Sequence, residues 1–220
     1  MSAVPVSERS SPRHAVILCH PDPKSFNRAI ADTYCAAVRQ NGHDAFLRDL
    51  YAMGFDPVLK AHERPTSAGF TLSPDVEEEL SLIRGCEVFV LVYPIWFGTP
   101  PAMMKGYIER VLGSGVTPEA VRARDHNSVL GGKRLVSFTT SASSEPWLNE
   151  QGQSLSLRYL LDHYLTHAFG MLPDEHVHLA NVTSGMEARW AEQHLYLVEQ
   201  QAKRTCAEVD SDRHHSGAAG

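Results

Sequence analysis

The chain has 220 residues, of which 43% are hydrophobic and 21% charged, so it can bury an ordinary core as one domain. Its net charge of −6 and the lack of any Lys/Arg run argue against a nucleic-acid surface. No apolar stretch reaches the ~18 residues of a membrane span, and residues 1–14 lack the apolar centre of a signal peptide. The four cysteines show no metal-type spacing, which predicts reduced thiols in a cytoplasmic protein without a metal site.

Apolar runs typical of buried strands alternate with helical stripes along the chain. The strands are predicted at 15–19, 44–50, 88–93, 134–140 and 175–179. Helices are predicted to begin near Ser25, Ser73, Thr99, Ser154 and Ser184, because each hydroxyl can cap a first turn and apolar residues at helical spacing follow. Five strands alternating with five helices predict an α/β fold with right-handed crossovers and a parallel sheet.

The ends of the chain and one long connection have compositions of their own. Residues 1–13 are polar and rich in Ser and Pro, which predicts a flexible segment before a domain over 14–206. Residues 207–220 are polar and end in Gly and Ala, which predicts a disordered tail. The connection at 51–73 is long for a loop in a compact domain, and such loops are more often functional than idle.

Three loops follow predicted strands and carry unusual residues. The loop at 94–98 holds Trp96 and Phe97, which make sense together if a flat apolar ring lies against them. The loop at 20–27 ends at a helix start, which is a natural phosphate site. The loop at 139–144 offers hydroxyls and backbone donors. Phosphate, flat ring and hydrogen-bonding edge together describe a flavin mononucleotide.

Two common nucleotide motifs are missing from the sequence. No GxGxxG follows the first strand, which argues against a Rossmann dinucleotide site, and no GxxxxGK(S/T) exists, which excludes a Walker P-loop. Two histidine pairs have plain explanations. His163 and His167 are four apart on one helix without a third ligand, as on a solvated face, and His176 and His178 alternate as on an edge strand.

These motifs resemble the NAD(P)H:quinone oxidoreductase (DT-diaphorase) branch of the flavodoxin-like fold. The resemblance runs in the family's order over roughly residues 14–182 and rests on His20-Pro with Ser25-Phe-Asn27, Asp49 to Pro57, Leu72 to Val76, Pro94 to Gly98 with Pro101 to Val111, and Thr139-Thr140. It implies a three-layer fold with five strands in the order 2-1-3-4-5 and a non-covalent flavin. It also implies two-electron reduction of quinones or related small aromatic acceptors by NAD(P)H, and a homodimer.

The resemblance also implies which residues contact the flavin. His20, Lys24, Ser25, Phe26 and Asn27 correspond to the phosphate and ribityl side, Pro94, Ile95, Trp96, Phe97 and Gly98 to the ring loop, and Thr139, Thr140 and Ser141 to the pyrimidine edge. Tyr51 and Trp147 are predicted to contact the substrate. No catalytic side chain is assigned, because hydride chemistry is carried by the flavin.

The sequence departs from the family at its Tyr and His pair near the flavin, where this chain has Trp147 and Gln153. The family's proton relay therefore does not transfer. FMN is favoured, with FAD as the alternative, while the nicotinamide and the acceptor stay open. A second function class is a non-catalytic electron carrier or a regulatory subunit of a partner such as an ion-efflux system. The moderate charge favours the enzyme, since a carrier usually needs a strongly acidic docking face.

Overall fold

The computed structural model describes residues 10–123, 128–152, 156, 158–172 and 175–218. Five strands form one parallel sheet in the order β2-β1-β3-β4-β5, as the resemblance implied. They are β1 (Arg13–Leu18), β2 (Asp44–Asp49), β3 (Val88–Pro94), β4 (Arg134–Thr140) and β5 (Glu175–Leu179). Every residue of β3 is buried, because this strand lies in the middle of the sheet under helices on both faces.

Helices cover both faces of the sheet and complete the three layers. They are α1 (Phe26–Gln40), α2 (Pro74–Ile83), α3 (Ala102–Tyr107) with a π-helical turn at Ile108–Leu112, α4 (Pro118–Ala123), α5 (Glu145–Glu150), a π-helical segment at Arg158–His163 leading into α6 (Tyr164–Phe169), and α7 (Ala188–Ala218). One core lies under α1 and α7, and the other under α2, α3 and α6. Within the described part of the chain, no helix is both long and apolar enough to cross a membrane.

Two predicted helix starts differ from the structure. Thr99 does not cap α3, because its Oγ1 donates to the carbonyl of Trp96 over 3.3 Å and the helix begins at Ala102. The last helix begins at Ala188, four residues after Ser184. Helices α4 and α5 have no counterpart in the prediction, whereas the predicted start at Ser154 lies outside the described residues.

The C-terminal residues are helical rather than disordered. Helix α7 runs to Ala218, so the prediction of a disordered tail is wrong for 207–218, and residues 219–220 lie outside the description. Ion pairs hold this helix against the amino-terminal edge of the sheet: Arg134 contacts Glu208 and Asp212 at 2.7 Å each, and Arg213 pairs with Glu87. These ion pairs explain why the polar C-terminal part of α7 packs against the rest of the domain.

The ordered domain also begins earlier than the predicted residue 14. The Ser11 hydroxyl donates to the Asp44 carboxylate over 2.6 Å, and the Asp44 amide donates to the carbonyl of Pro12 over 2.8 Å. Residues 10–13 therefore continue the β1–β2 pairing, and the predicted flexibility of 1–13 is wrong for them. Residues 1–9 are not described.

The long connection between β2 and α2 is tied to the domain by Arg110, which lies in the π-helical turn. Its guanidinium donates to both oxygens of Glu63 at 2.6 and 2.9 Å, to Asp75 at 2.8 and 3.0 Å, and to the carbonyl of Asp56 at 2.5 Å. The side chains of Arg110 and Glu63 are each 1% exposed. A charge can be buried here because every direction of the guanidinium fork meets an oxygen.

Candidate functional site

The three loops identified in the sequence meet at the carboxyl edge of the sheet. The Thr140 hydroxyl donates to Asn27 Oδ1 over 2.9 Å, and the Ile95 amide donates to the Thr140 carbonyl over 2.7 Å. The rings of His20 and Trp96 lie 5.9 Å apart. Each pair of loops is thus joined by a contact, because their strands β1, β3 and β4 are neighbours and parallel strands end at one edge.

The first loop is wound against the N-terminus of α1. The Asp22 amide donates to His20 Nδ1 over 3.0 Å, and the Lys24 amide donates to the Asp22 carboxylate over 2.8 Å. Ser25 caps α1 as predicted, since its Oγ accepts from the Arg28 amide at 3.2 Å. Lys24 is exposed beside this helix start, where the helix dipole and a cation both favour an anion.

Asn27 supplies an unpaired donor inside this site. Its side chain is buried at 2% exposure, and its Oδ1 is used by Thr140. Its Nδ2 finds no acceptor among the described residues. A buried amide donor left unpaired costs about 1–3 kcal/mol, so a polar ligand group that accepts this hydrogen bond fits the site.

The aromatic loop presents its rings to solvent instead of the core. Phe97 is fully exposed and Trp96 is 38% exposed. Phe97 also has a φ of 51°, which is a costly backbone angle for an aromatic residue, and Gly98 follows at 79°. Pro94 is buried at the end of β3 and Ile95 is partly buried beneath the turn. Core packing therefore does not explain the two rings, whereas a planar ligand would.

The third loop carries the hydroxyl groups. Thr139 and Thr140 are buried and Ser141 is 9% exposed. The Ser141 amide donates to the Leu179 carbonyl over 3.2 Å, which fixes the loop beside the end of β5. Trp147 follows on α5 with 49% of its surface exposed.

Tyr51 lies after the carboxyl end of β2, where it is partly buried against the core under α2 and α3. Contact of Tyr51 or Trp147 with a substrate stays a prediction, and Gln153 lies outside the described residues. Cys19 is a packed thiol, as predicted. Burial raises its pKa to about 12, so it is no nucleophile.

A chain of buried polar side chains runs into the third loop, and sequence reasoning missed it. Asp162 contacts His176 Nδ1, whose Nε2 lies 2.9 Å from the Thr139 hydroxyl. The same hydroxyl lies 2.8 Å from His178 Nδ1, and His178 Nε2 lies 3.0 Å from the Ser141 hydroxyl. The edge-strand explanation for the two histidines accounts for their spacing but not for these contacts. By contrast, His163 and His167 are exposed on their helix.

The hydrogen bonds of this chain can all point the same way. With both imidazoles neutral, Ser141 donates to His178, His178 to Thr139, Thr139 to His176, and His176 to the carboxylate of Asp162. Burial lowers the pKa of His178 to about 4, and the nearby His176 contributes, so His178 is neutral near pH 7. The arrangement offers an unbroken row of hydroxyls and ring nitrogens along which a proton can pass between the loop and the buried carboxylate.

Two further groups surround the buried end of the chain. Ser137 donates to the second oxygen of Asp162 over 2.6 Å. Tyr93, directly opposite Thr139 in the sheet register, has a buried hydroxyl that lacks a partner within the part of the chain described. The signal available in the sequence was the alternation of polar Ser137 and Thr139 with apolar Val136 and Phe138 in β4.

The sequence and the fold of this chain were compared with those of known proteins. A profile of the family described as Flavodoxin-like fold matches residues 12–202. An uncharacterized NAD(P)H oxidoreductase of Haemophilus influenzae is 34% identical over 151 residues, which are 67% of this chain and 73% of the relative. NAD(P)H dehydrogenase (quinone) 1 of Rattus norvegicus is 28% identical over 222 residues, covering 84% and 80% of the two chains.

A solved structure is similar over most of its length. The NAD(P)H:quinone oxidoreductase of Methanothermobacter marburgensis superposes with a TM-score of 0.76 at 23% identity, over 89% of this chain and 96% of that one. At this sequence identity, the similarity shows that the two proteins share a fold. Together with the matched profile and the sheet order, these similarities confirm the resemblance drawn from the motifs, and the chain belongs to the flavodoxin-like fold family.

Proposed function

We propose that the protein is a flavin-dependent NAD(P)H oxidoreductase that passes two electrons, taken as hydride from NAD(P)H, to a quinone or similar aromatic acceptor. The observation that carries this is the meeting of three loops around a buried unpaired amide and two exposed aromatic rings. The printed names of the curated relatives, an NAD(P)H oxidoreductase and a quinone dehydrogenase, support the same activity.

Two of the three loops have separate tasks in this proposal. The start of α1, with Lys24 and Ser25, binds the phosphate, and Asn27 donates to a polar group of the flavin. Trp96 and Phe97 cover the ring and exclude water from one side. The flavin supplies hydride acceptance and release when bound, whereas the protein positions it and controls protons.

Several finer points belong to the same proposal. FMN is favoured over FAD, since the three loops provide for a phosphate, a ribityl chain and a ring. A homodimer is favoured because an open groove of about 640 Å³ between α4, α6 and the π-helical turn is lined by Leu59, Val121 and the exposed Tyr164. Cytoplasmic location rests on the four free, buried cysteines.

The visible absorbance of the purified protein, before and after anaerobic NADPH, tests the proposal. We expect flavin bands that bleach with NADPH and return on addition of menadione, and FMN in the flavin released by denaturation. Bands that neither NADPH nor NADH bleaches would instead support the carrier or regulatory function. A protein that binds neither FMN nor FAD on reconstitution would overturn the proposal.

The buried polar chain gives a prediction about protons. His178→Asn keeps a hydrogen-bonding group but cannot pass a proton between two ring nitrogens, so we expect quinone reduction to slow by about 10²-fold or more. Bleaching by NADPH should stay close to wild type, because hydride transfer needs no side-chain acid. Stopped-flow measurement of the two half-reactions separates these effects. The exposed His167→Asn serves as control, and equal slowing of both half-reactions would contradict a proton role.

A further inference from the structure

A second polar cluster lies on the opposite face of the sheet, under α7. It consists of His14 on β1, His43 just before β2, and Cys206 on α7, with 0%, 3% and 2% of their surfaces exposed. One nitrogen of each imidazole and the Cys206 sulfur all lie within 4.8 Å of one another. Neither the flavin loops nor the chain from Asp162 to Ser141 includes any of these residues.

The outer nitrogens of both imidazoles are held by oxygen atoms. His14 Nδ1 lies 3.0 Å from the Tyr34 hydroxyl, and His43 Nε2 lies 3.1 Å from the Asp210 carboxylate. This leaves His14 Nε2 and His43 Nδ1, 3.0 Å apart, facing each other next to the thiol. Oxygen partners on the outer nitrogens are the arrangement that orients metal-bound histidines and fixes their tautomers.

We propose that His14, His43 and Cys206 form a binding site for one transition-metal ion of the Zn²⁺ or Cu⁺ class. Imidazole and thiolate ligands suit both ions. Ligand atoms on a tetrahedral Zn²⁺ stand roughly 3.3–3.6 Å apart for bonds of ~2.0–2.3 Å, so the two nitrogens are already near that spacing and the sulfur must approach.

Charge and protons balance at such a site. Binding removes the proton of the Cys206 thiol, which leaves to solvent, and a metal–sulfur bond forms without change of oxidation state. The proton between His14 Nε2 and His43 Nδ1 moves to the outer nitrogen of the ring that carries it, where the Tyr34 or the Asp210 oxygen accepts it. The thiolate neutralises Cu⁺ alone, and the thiolate with the Asp210 carboxylate neutralises Zn²⁺. Asp210 is 52% exposed and marks the solvent side of the pair.

The full-length protein, stripped with a chelator, tests the site in two ways. Competition against a Zn²⁺ indicator, and against a Cu⁺ chelator under anaerobic conditions, should give one ion per chain for at least one of the two metals. Co²⁺ in place of Zn²⁺ should add a thiolate-to-cobalt charge-transfer band, measured as a difference spectrum against the metal-free protein. This band reports the sulfur ligand independently of flavin content or oxidoreductase activity.

Two variants and a matched control make the result specific. Cys206→Ser should abolish the cobalt band, whereas Cys86→Ser, a buried thiol in the other core, should leave it unchanged. Asp210→Asn alters a half-exposed side chain and should weaken binding by about 10–100-fold with the fold intact. If Cys206→Ser does not fold, the wild-type band and Asp210→Asn decide. Absence of both metals from the wild type, or binding indifferent to Asp210, would overturn the proposal.

Discussion

Arg110→Met is expected to lower the free energy of unfolding by about 3–5 kcal/mol, because it leaves the buried Glu63 carboxylate without its cation. The variant also removes the hydrogen bonds to Asp75 and to the Asp56 carbonyl that fasten the connection between β2 and α2. Urea unfolding followed by circular dichroism measures the change. Arg122→Met is the control, since that arginine is 73% exposed in its pair with Glu119 and should cost at most about 1 kcal/mol.

The loss of unfolding free energy in Arg110→Met should depend on pH in a defined direction. The hydrogen bonds from Arg110 lower the pKa of Glu63 from 4.5 to about 2, so its contribution is complete above the unfolded value and fades as pH falls toward 2. In the variant the Glu63 carboxylate keeps the hydrogen bond from the Lys60 amide but is buried without a cation, so protonation in acid removes an unpaired buried charge. The gap between wild type and Arg110→Met should therefore be widest near about pH 7 and narrow below about pH 4.5. A gap that widens in acid would contradict this account.

Removing the second partner tests the same idea. Glu63→Gln combined with Arg110→Met should be more stable than Arg110→Met alone at about pH 7, because no unpaired charge then remains buried. A double variant that loses the sum of the two single losses would mean that the pair does not interact energetically.

Asn27→Leu is expected to weaken FMN binding by roughly 5- to 150-fold, which corresponds to a lost hydrogen bond of about 1–3 kcal/mol. The variant removes the unpaired Nδ2 donor and also deprives the Thr140 hydroxyl of its acceptor, so the flavin-free protein should lose stability as well. Fluorescence quenching of FMN on titration with the flavin-free protein gives the dissociation constant.

Gln40→Leu is the matched control for this variant. It makes the same amide-to-leucine change on α1, at the exposed far end of the helix, and should leave FMN affinity unchanged. Equal FMN affinity in Asn27→Leu and wild type would show that Asn27 does not contact the flavin, and the buried amide would need another explanation.

The strands and helices around the sheet were predictable because they rest on local patterns, whereas the strand order came only from the family resemblance. The unbroken apolar run of β3 and the Ser25 cap of α1 are signals within a few residues, and both are confirmed. The loops of the site followed from the strands, since parallel strands place their carboxyl ends at one edge. The extent of α7 was not predictable in this way, because its last turns are held by ion pairs with residues more than seventy positions away.

Contacts between side chains that are distant in the chain could also not be predicted from the sequence. His176 and His178 gave only a spacing, and their meaning depends on Asp162, which comes from a helix on the same face of the sheet. His14, His43 and Cys206 are far apart in the chain and carry no motif spacing. Such clusters exist only once the layers are packed, so periodicity and local motifs contain no sign of them.

The packing of α7 against α1 has a consequence for synthesis on the ribosome. One of the two cores combines residues of α1 and of all five strands with residues 198–209 of α7, so it cannot close until almost the whole chain has been made. Until then the part of this core that α7 covers stays open to solvent. A nascent chain of this protein therefore exposes apolar surface through most of its translation. Binding of chaperones to the nascent chain should decrease sharply when α7 emerges from the ribosome.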